Sequence, residues 1–200
     1  MQSIGRLADP NTRAILQAEG IRTLTFIPLT ADVDWWLSST TLTAGANKTK
    51  TVTSFTHAYC QSLPQTVVGV VTENSGDTWD AVEIALTGIN QFGQTTFETL
   101  EGTNSSGTWT CTGSVCWLQL LSAAITITGT GDTGDAVILG FGKTYGLCHQ
   151  ILASTDVLFK SFDGSADDGT VSVANASYAF DGTPNAAKIG SITLRTMRPY

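Results

Sequence analysis

The fold is indicated most directly by the stretch VEIALTGINQFG, residues 82–93. Val82, Ile84 and Leu86 alternate with other residues, so an extended strand would place all three on one face. The last four residues of the stretch have the composition of a hairpin turn, and a second strand is predicted over residues 94–101. The stretch therefore predicts an antiparallel pair of strands that turns one apolar face towards a core.

The rest of the chain contains many similar short runs, most of them bounded by Gly, Pro, Asn or Asp. About ten short strands separated by turns are typical of a β-sandwich or a jelly roll. The sequence therefore predicts an all-β fold, with a single sandwich or jelly-roll-like domain over residues 51–200. Residues 124–129 and 136–141 are expected to form a further hairpin across the Gly/Asp-rich turn between them. The candidate strands outside the opening stretch are residues 51–59, 66–73, 108–111, 116–120, 124–129, 136–141, 156–162, 170–174, 177–180 and 188–197.

Residues 1–50 are expected to form an N-terminal arm rather than part of the sandwich. Asp9-Pro10 is a helix start signal and Gly20 is a stop signal, which predicts a short helix over residues 13–19. An extended and largely apolar run, residues 21–27, follows this helix. Such an arm buries little surface by itself, so we expect it to become ordered against a partner.

The composition indicates a stably folded protein with few surface charges. Hydrophobic residues make up 42% of the chain and charged residues only 14%, against about 25% charged residues in an average soluble domain. Thr and Gly are abundant, whereas the helix formers Lys, Glu and Arg are scarce. This composition excludes a disordered chain and a coiled coil.

Charge and hydropathy argue against two classes of partner. The net charge is −7 and the ten basic residues are scattered, whereas nucleic-acid binding needs clustered Lys and Arg. No apolar run reaches the roughly 18 residues of a membrane-spanning helix. The N-terminus also lacks the order of a signal peptide, basic residues before apolar ones. We therefore expect no nucleic-acid and no membrane partner, and a protein that remains at first in the compartment where it is made.

The four cysteines leave two interpretations open. Cys111 and Cys116 flank Thr-Gly-Ser-Val, which is predicted to be the tip of a hairpin between residues 108–111 and 116–120. Two thiols on paired strands near such a tip can come within bridging distance. The other two cysteines are isolated, so the spacing typical of a zinc site is not met. Without a secretory signal, four reduced thiols are favoured, and a Cys111–Cys116 disulfide is the alternative.

No catalytic motif is evident, and we expect that the protein is not an enzyme. Of the two histidines, His57 has no distinctive neighbours. His149 directly follows Cys148, but adjacent residues on a strand point to opposite faces and do not form a ready dyad. The sequence contains no nucleophile elbow, P-loop or zinc-protease motif. Neither catalytic residues nor a cofactor are predicted.

One acidic loop is a candidate calcium site. Asp163, Asp167 and Asp168 lie within a Gly-containing loop, and Asp132 with Asp135 forms a second, sparser set. Calcium binds roughly six to eight oxygen atoms, and such loops supply several. Asp and Gly are, however, the residues that any tight turn selects, and neither loop has the EF-hand spacing. Turn formation is therefore favoured, and no metal site is predicted.

The neighbouring residues Trp35 and Trp36 are the strongest candidates for contact with a partner. On an extended segment they would point in opposite directions, so both cannot face the core. One is expected to be a surface anchor for a partner subunit or a sugar, since large aromatic side chains dominate binding interfaces. Alternatively, one caps the edge of the core and the other lies on the arm. Together with Ile21, Leu24 and Phe26, the two tryptophans form the predicted partner-binding set.

Several motifs between residues 80 and 150 form a recognisable succession: a strand ending in a Gly/Asn turn, a strand carrying glutamates, and a closing Gly-Asp segment. They are VEIALTGINQFGQ at residues 82–94, Glu98 and Glu101, ITITG at residues 125–129, and GDAVILGFGKTYGL at residues 134–147. This succession resembles virion structural proteins of tailed bacteriophages, most closely capsid decoration (cement) proteins. Leu139 departs from the family pattern, which has a valine there, and the cysteines and the two adjacent tryptophans lie outside it.

The resemblance implies a structural role on the phage particle. A decoration protein of this kind stabilises the head by bridging subunits of the major capsid protein. Assembly as a homotrimer, and a location on the capsid surface after assembly in the host cytoplasm, are carried over from the family. The acidic charge is consistent with a place away from the packaged DNA.

Two other functions fit the same features. A tail or head–tail module, such as a tube, adaptor or fibre protein, would share the strand-rich sequence and the lack of catalytic motifs. It would form rings or tubes. A carbohydrate-binding β-sandwich would instead use exposed tryptophans and acidic loops, and it would be a monomer that sugar stabilises against heat.

Overall fold

The computed structural model describes most of the chain. The described residues are 20–27, 32–42, 45–60, 63–73, 78–131, 134–147, 149–183 and 188–196. Within them the chain forms thirteen strands and one short 3₁₀ helix, Ser154–Asp156. The strands are β1 (Gly20–Phe26), β2 (Leu37–Thr41), β3 (Gly45–Val52), β4 (Gln65–Thr72), β5 (Thr78–Asn90), β6 (Thr95–Ser105), β7 (Thr108–Gly131), β8 (Ala136–Gly146), β9 (Val157–Phe162), β10 (Ser165–Ala166), β11 (Thr170–Ser172), β12 (Ser177–Ala179) and β13 (Gly190–Thr196).

The predicted all-β class is confirmed, and the strands form two sheets. The large sheet has the order β11-β12-β8-β4-β7-β5-β6, with β2 beside β8 and β3 beside β7. The small sheet has the order β1-β13-β9-β10. The helix predicted over residues 13–19 lies outside the described residues, and in the described part no helix is long and apolar enough to cross a membrane. The finer jelly-roll topology stays a prediction.

The long strand β7 turns the large sheet into a sandwich. Its first part pairs with β4 and with the end of β6, whereas its second part pairs with β5 and β3. The two parts therefore belong to opposite layers, and their inner faces enclose the main core. Across that core, a Cβ atom built on Gly69 of β4 would meet the Cδ1 atom of Ile84 of β5. A larger residue at position 69 would displace the end of the Ile84 side chain, so glycine favours this close approach of the layers.

The opening stretch of the sequence forms the hairpin that was predicted. Residues 83–89 of β5 pair with residues 95–101 of β6. The side chain of Asn90 closes the turn, since its Oδ1 atom accepts hydrogen bonds from the N–H groups of Phe92 at 2.9 Å and Gln94 at 3.0 Å. Gly93 has a φ of 75°, a conformation that favours glycine. The turn residues and the alternation of apolar residues were therefore sufficient to predict this pair of strands.

Two predicted hairpins are wrong. β7 runs without interruption from residue 108 to 131, so the chain does not reverse between the two cysteines. β7 and β8 follow each other in the sequence but do not pair, because β4 lies between them in the sheet. The strand predicted over residues 51–59 is also too long, since β3 ends at Val52.

What resembled a cysteine turn is a bulge in β7. On β4 only Val67 lies between Thr66 and Val68, whereas on β7 three residues lie between their partners Cys116 and Thr112. Oε1 of Glu98 accepts hydrogen bonds from the N–H of Ser114 at 2.6 Å, from its hydroxyl at 2.8 Å, and from the N–H of Val115 at 3.1 Å. The carboxylate thus replaces the strand partner that the bulged N–H groups lack.

A second core lies between the small sheet and one end of the large sheet. The small sheet contributes Phe26, Phe162, Ile192 and Leu194, and its partners include Tyr145, Tyr178 and Phe180 near β8 and β12. The ring of Phe180 lies 4.8 to 5.6 Å, between centroids, from four neighbouring aromatic rings. Aromatic packing of this kind joins the two sheets into one body.

The described residues of the predicted arm lie in both sheets. β1 pairs with β13 along its whole length, β2 pairs with β8, and β3 pairs with β7. Residues 20–26 therefore hydrogen-bond to the other end of the chain. The arm was predicted from low local burial, and this property does not reveal a partner strand that is distant in sequence.

Candidate functional site

The outward-pointing side of the small sheet presents a row of exposed apolar side chains, which we call the outer face. Alternate residues of a strand point to opposite sides, and directly paired residues point to the same side. On β1 and β13 the even-numbered Phe26, Ile192 and Leu194 fill the second core. The odd-numbered residues therefore point outwards, among them Ile21 and, just beyond the strand ends, Ile27 and Ile189. All of these apolar side chains are exposed, and Ile21 is 70% exposed.

The third apolar strand of the outer face is β9. Phe159 lies directly opposite Thr193, which in turn lies opposite Thr23. Phe159 is 55% exposed, and the hydroxyls of Thr23 and Thr193 lie 3.0 Å apart. The centre of the face thus combines an aromatic ring with two threonines whose hydroxyls hydrogen-bond to each other. Among the described residues of β1, β9 and β13 that point outwards, Arg195, opposite Ile21, carries the one charge. Beyond the strand ends, the exposed ion pair of Asp163 and Lys188 lies beside Ile189.

The outer face, with its threonines and Arg195 included, is about as large as the largest apolar patch of an ordinary monomeric protein. Three strands about 4.8 Å apart, with seven residues of about 3.3 Å each, give roughly 14 by 23 Å, or about 330 Å². The largest exposed apolar patch on a monomeric protein is about 300–600 Å² and is often functional. A stable interface covers about 800 Å² on each partner. The outer face would therefore supply a little under half of one such interface.

The structure separates the five residues of the predicted partner-binding set. Ile21 lies on the outer face, whereas Phe26 is buried in the second core and Leu24 packs half-buried against it. Trp36 is fully buried in the main core, and Trp35 packs against that core from its edge. Of the five, only Ile21 presents most of its side chain to solvent.

The expectation that Trp35 and Trp36 would not both face the core agrees with the structure, in which Trp36 lies inside the core and Trp35 at its edge. The ring of Trp35 stacks on the His57 ring at a centroid distance of 3.9 Å. Its indole N–H donates to the carbonyl oxygen of Tyr59 at 3.2 Å, and the His57 ring nitrogen Nδ1 lies 2.9 Å from the carbonyl oxygen of Trp35. These contacts hold the segment after β3 in place. The Trp35 ring thus contacts residues of its own chain, and His57 already covers one face of it.

Phe159, Ile27 and Ile189 were missed as candidate residues. In β1 the apolar residues Ile21, Leu24 and Phe26 occupy both parities, so the sequence did not show which side of the strand would face the core. In β9 the sequence VLFKSF carries apolar residues on both parities. Only pairing with β13 determines that Phe162 points inwards and Phe159 outwards.

The acidic loop forms a turn, as favoured. Asp163 and Gly164 have φ values of 55° and 79°, and together they connect β9 to β10. Asp163 forms an ion pair with Lys188 at 3.5 Å, and Asp167 is buried against Tyr178. Among the described residues, no group of three or more His, Cys, Asp or Glu side chains is placed to hold a metal ion. Asp132 lies outside the described residues.

His149 contacts Arg22 rather than a nucleophile. The ring nitrogen Nε2 of His149 lies 3.0 Å from a guanidinium nitrogen of Arg22. Burial, and then the positive charge of Arg22, lower the pKa of His149 below its ordinary value. The neutral ring accordingly accepts a hydrogen bond from the guanidinium. Cys148 lies outside the described residues.

Cys111 and Cys116 are unpaired, buried thiols in this structure. Burial raises the pKa of Cys111 to about 11, and burial together with the charge of Glu98 raises the pKa of Cys116 to about 12. A pKa near 11 leaves about one hundredth of the thiolate of an ordinary cysteine at neutral pH. We therefore expect both thiols to resist alkylation in the folded protein.

Peptide mapping after treatment with iodoacetamide at pH 8 measures this protection. Compared with the thiols of the unfolded chain, Cys111 should be modified about 100-fold more slowly and Cys116 about 1,000-fold more slowly. Both should react at the ordinary rate once the protein is denatured. The half-buried Cys60 is the internal comparison. Recovery of a Cys111–Cys116 disulfide from freshly isolated protein would contradict the assignment.

Comparisons with known proteins do not extend this description. No protein-family model, no curated protein and no solved structure matches the chain.

Proposed function

We propose that the chain is a non-enzymatic structural protein of a tailed-bacteriophage virion, and that it decorates the capsid by binding the major capsid protein. The observation that carries the proposal is the outer face, where Ile21, Ile27, Phe159 and Ile189 expose apolar surface beside uncharged threonines. Burial of this surface against a partner is favourable in proportion to its area. The resemblance of residues 82–147 to decoration proteins supplies the identity of that partner.

The size of the outer face shapes the proposed mechanism. At less than half of a standard interface, one copy would bind a capsid subunit only weakly through this face. Homotrimers, which we propose as the assembled form, would place three such faces on neighbouring subunits. Binding through three linked contacts is much tighter than binding through one, and it bridges the subunits mechanically.

Capsids that lack this protein test the proposal directly. The purified wild-type chain is expected to co-sediment with them saturably. The double variant Ile21→Asp/Phe159→Asp should bind about 30-fold more weakly or not at all, because the loss of a central apolar contact costs about 2 kcal/mol or more. Both side chains point to solvent, so the variant should keep the wild-type midpoint of unfolding.

The control is Phe97→Asp, which places one aspartate, against two in the double variant, on an exposed aromatic residue of the large sheet. It should bind capsids like the wild type. Light scattering of the free protein should give the mass of a trimer. Equal weakening by Phe97→Asp would overturn the outer face as the binding surface. Association with tails, or formation of rings and tubes without capsid binding, would replace the proposal with the tail module.

A further inference from the structure

A hydroxyl-lined cleft of about 240 Å³ lies on the large sheet, on the side of β8 and β12 that faces away from the second core. Tyr145 and Tyr178 point from these strands into the second core, so their neighbours in sequence point to the opposite side. Six of the side chains that line the cleft carry hydroxyl groups: Thr66, Ser114, Thr144, Thr170, Ser172 and Ser177.

The register of the strands explains why these hydroxyls converge. Ala179 of β12 lies opposite Thr170 of β11 on one side and opposite Thr144 of β8 on the other. Ser177 lies opposite Ser172 in the next row of the same face. The bulge of β7 closes the end of the cleft with Ser114, whose position is fixed by the carboxylate of Glu98.

Two of the residues that carry these hydroxyls are otherwise buried in the protein. Thr66 is 4% exposed and Ser177 is 1% exposed. In the part of the chain that the structure describes, neither hydroxyl is among the buried side-chain oxygens without a hydrogen-bond partner, and both residues line the cleft. A hydroxyl that is open to a cleft is satisfied by water, and a ligand can take the place of that water. Here the cleft is the side from which a partner can reach them.

The chemistry of the lining selects a neutral ligand with several hydroxyl groups. Hydroxyls and the side-chain amide of Asn175 both donate and accept hydrogen bonds, and none of the lining residues is ionised. The volume of about 240 Å³ is slightly below the roughly 300–1,000 Å³ of drug-sized pockets, so the cleft takes a small ligand. We propose that the cleft binds a single neutral sugar residue, with Thr66, Thr144 and Ser177 as hydrogen-bond partners of its hydroxyls.

A peptide fits the cleft less well than a sugar. Peptides that bind to sheets pair with a free strand edge. The strands β12, β8 and β4 are each paired on both sides, and β11, the edge strand beside the cleft, is only three residues long. Recognition at the cleft must therefore use side-chain hydroxyls, which complement the hydroxyls of a sugar. The cleft and the outer face lie on different sheets, so this proposal does not depend on the capsid-binding function.

Ligand-observed NMR with the intact protein tests the proposal, with the methyl glycosides of glucose, galactose, mannose and N-acetylglucosamine as neutral probes. Glucuronic acid is the charged comparison. At least one neutral probe should bind saturably, and glucuronic acid should not, because the chain carries a net charge of −7 and the cleft has no cation.

Two variants locate the site, Thr144→Val, which keeps the side-chain shape, and Ser177→Ala. Each should weaken binding about tenfold, the loss expected for one hydrogen bond worth about 1.4 kcal/mol. Thr49→Val, at the hydroxyl pair of Thr49 and Thr126 on another strand, is the matched control and should bind normally. No binding by any neutral probe, or unchanged binding in both variants, would overturn the proposal. The Ile21→Asp/Phe159→Asp protein should bind sugar normally, which separates this test from the capsid test.

Discussion

Replacement of Trp36 by alanine is expected to lower the free energy of unfolding by about 3–5 kcal/mol, the cost of emptying a buried aromatic site. Trp36 is 0% exposed and packs in the main core. Its backbone also joins two segments, because its N–H donates to the carbonyl oxygen of Leu139 and its own carbonyl oxygen accepts from the N–H of Thr56, both at 2.8 Å. These hydrogen bonds hold the surrounding segments in place, so we expect that they cannot move together to fill the cavity that the alanine variant leaves.

The neighbouring residue provides the matched control. Trp35→Ala removes a half-buried ring whose main contacts are the stacked His57 and the carbonyl oxygen of Tyr59. An aromatic pair and one exposed hydrogen bond contribute about 1–2 kcal/mol together. Urea unfolding of both variants, followed by tryptophan fluorescence and circular dichroism, measures the difference. Equal losses in the two variants would contradict the placement of Trp36 inside and Trp35 at the edge.

A third variant distinguishes packing from polarity at this site. The indole Nε1 atom of Trp36 is buried and has no hydrogen-bond partner among the described residues. Trp36→Phe removes this unsatisfied donor while it keeps most of the apolar volume, so the two effects oppose each other. We expect a loss well below that of Trp36→Ala. A loss as large as that of the alanine variant would indicate that the indole nitrogen has a partner after all.

The tryptophan pair illustrates how far a sequence predicts position. Adjacent residues on an extended segment must diverge, so the sequence predicted that at most one of the two tryptophans would face the core. It did not predict which one, because that choice depends on β2 pairing with β8, a strand about 100 residues later. The anchor role proposed for the pair assumed that the exposed ring would be free, and His57 covers it.

The difference between local and long-range contacts also explains why one hairpin was predicted correctly and two were not. The turn at Asn90 is local, because its side chain closes the turn within four residues, and the sequence predicted it correctly. The chain around Cys111 and Cys116 also contains turn residues, but there Gly113 and Ser114 form a bulge within β7. A glycine is required because a Cβ atom at residue 113 would lie 2.8 Å from Oε2 of Glu98. Turn residues in the sequence thus predict an irregularity without determining whether the chain reverses.

The outer face and the cleft both depend on pairing over long sequence distances. Thr23 and Thr193, at the centre of the outer face, are 170 positions apart. The cleft likewise combines Thr66 from β4 with Ser177 from β12. Neither set shares a motif or a spacing, so inspection of the sequence could recognise the strands but not the surfaces they form. The functional candidates of this chain therefore become visible only when the sheets are assembled.

The pair of Asp167 and Tyr178 is expected to make the stability of the fold sensitive to acid. Burial alone would raise the pKa of Asp167, but hydrogen bonds from the Tyr178 hydroxyl and from the N–H groups of Gly169, Asp181 and Gly182 together lower it below its ordinary value. A carboxylate with a lowered pKa in the folded state stabilises the fold fully above its unfolded pKa, about 3.8. That contribution is lost as the pH falls through the lower folded value.

Asp167→Asn should therefore lower the free energy of unfolding at pH 7 by about 1.5–3 kcal/mol, the range for hydrogen bonds to a buried charge. The difference from the wild type should shrink as the pH falls below about 4, because the protonated carboxyl resembles the amide. Tyr178→Phe should show the same trend with a smaller loss, since the N–H of Gly169 still donates to Asp167 at 3.0 Å. Urea unfolding at pH 7, 5, 4 and 3 measures these changes.

The exposed neighbour Asp168 is the control for this experiment. Asp168→Asn removes the same charge from the same loop, so it separates a general charge effect from the buried pair and should leave the unfolding midpoint almost unchanged. A loss in Asp167→Asn that stayed constant down to pH 3 would show that the carboxylate charge is not what stabilises the loop. Because Tyr178 also packs in the second core, acid should weaken first the junction that holds the small sheet, and with it the outer face, against the large one.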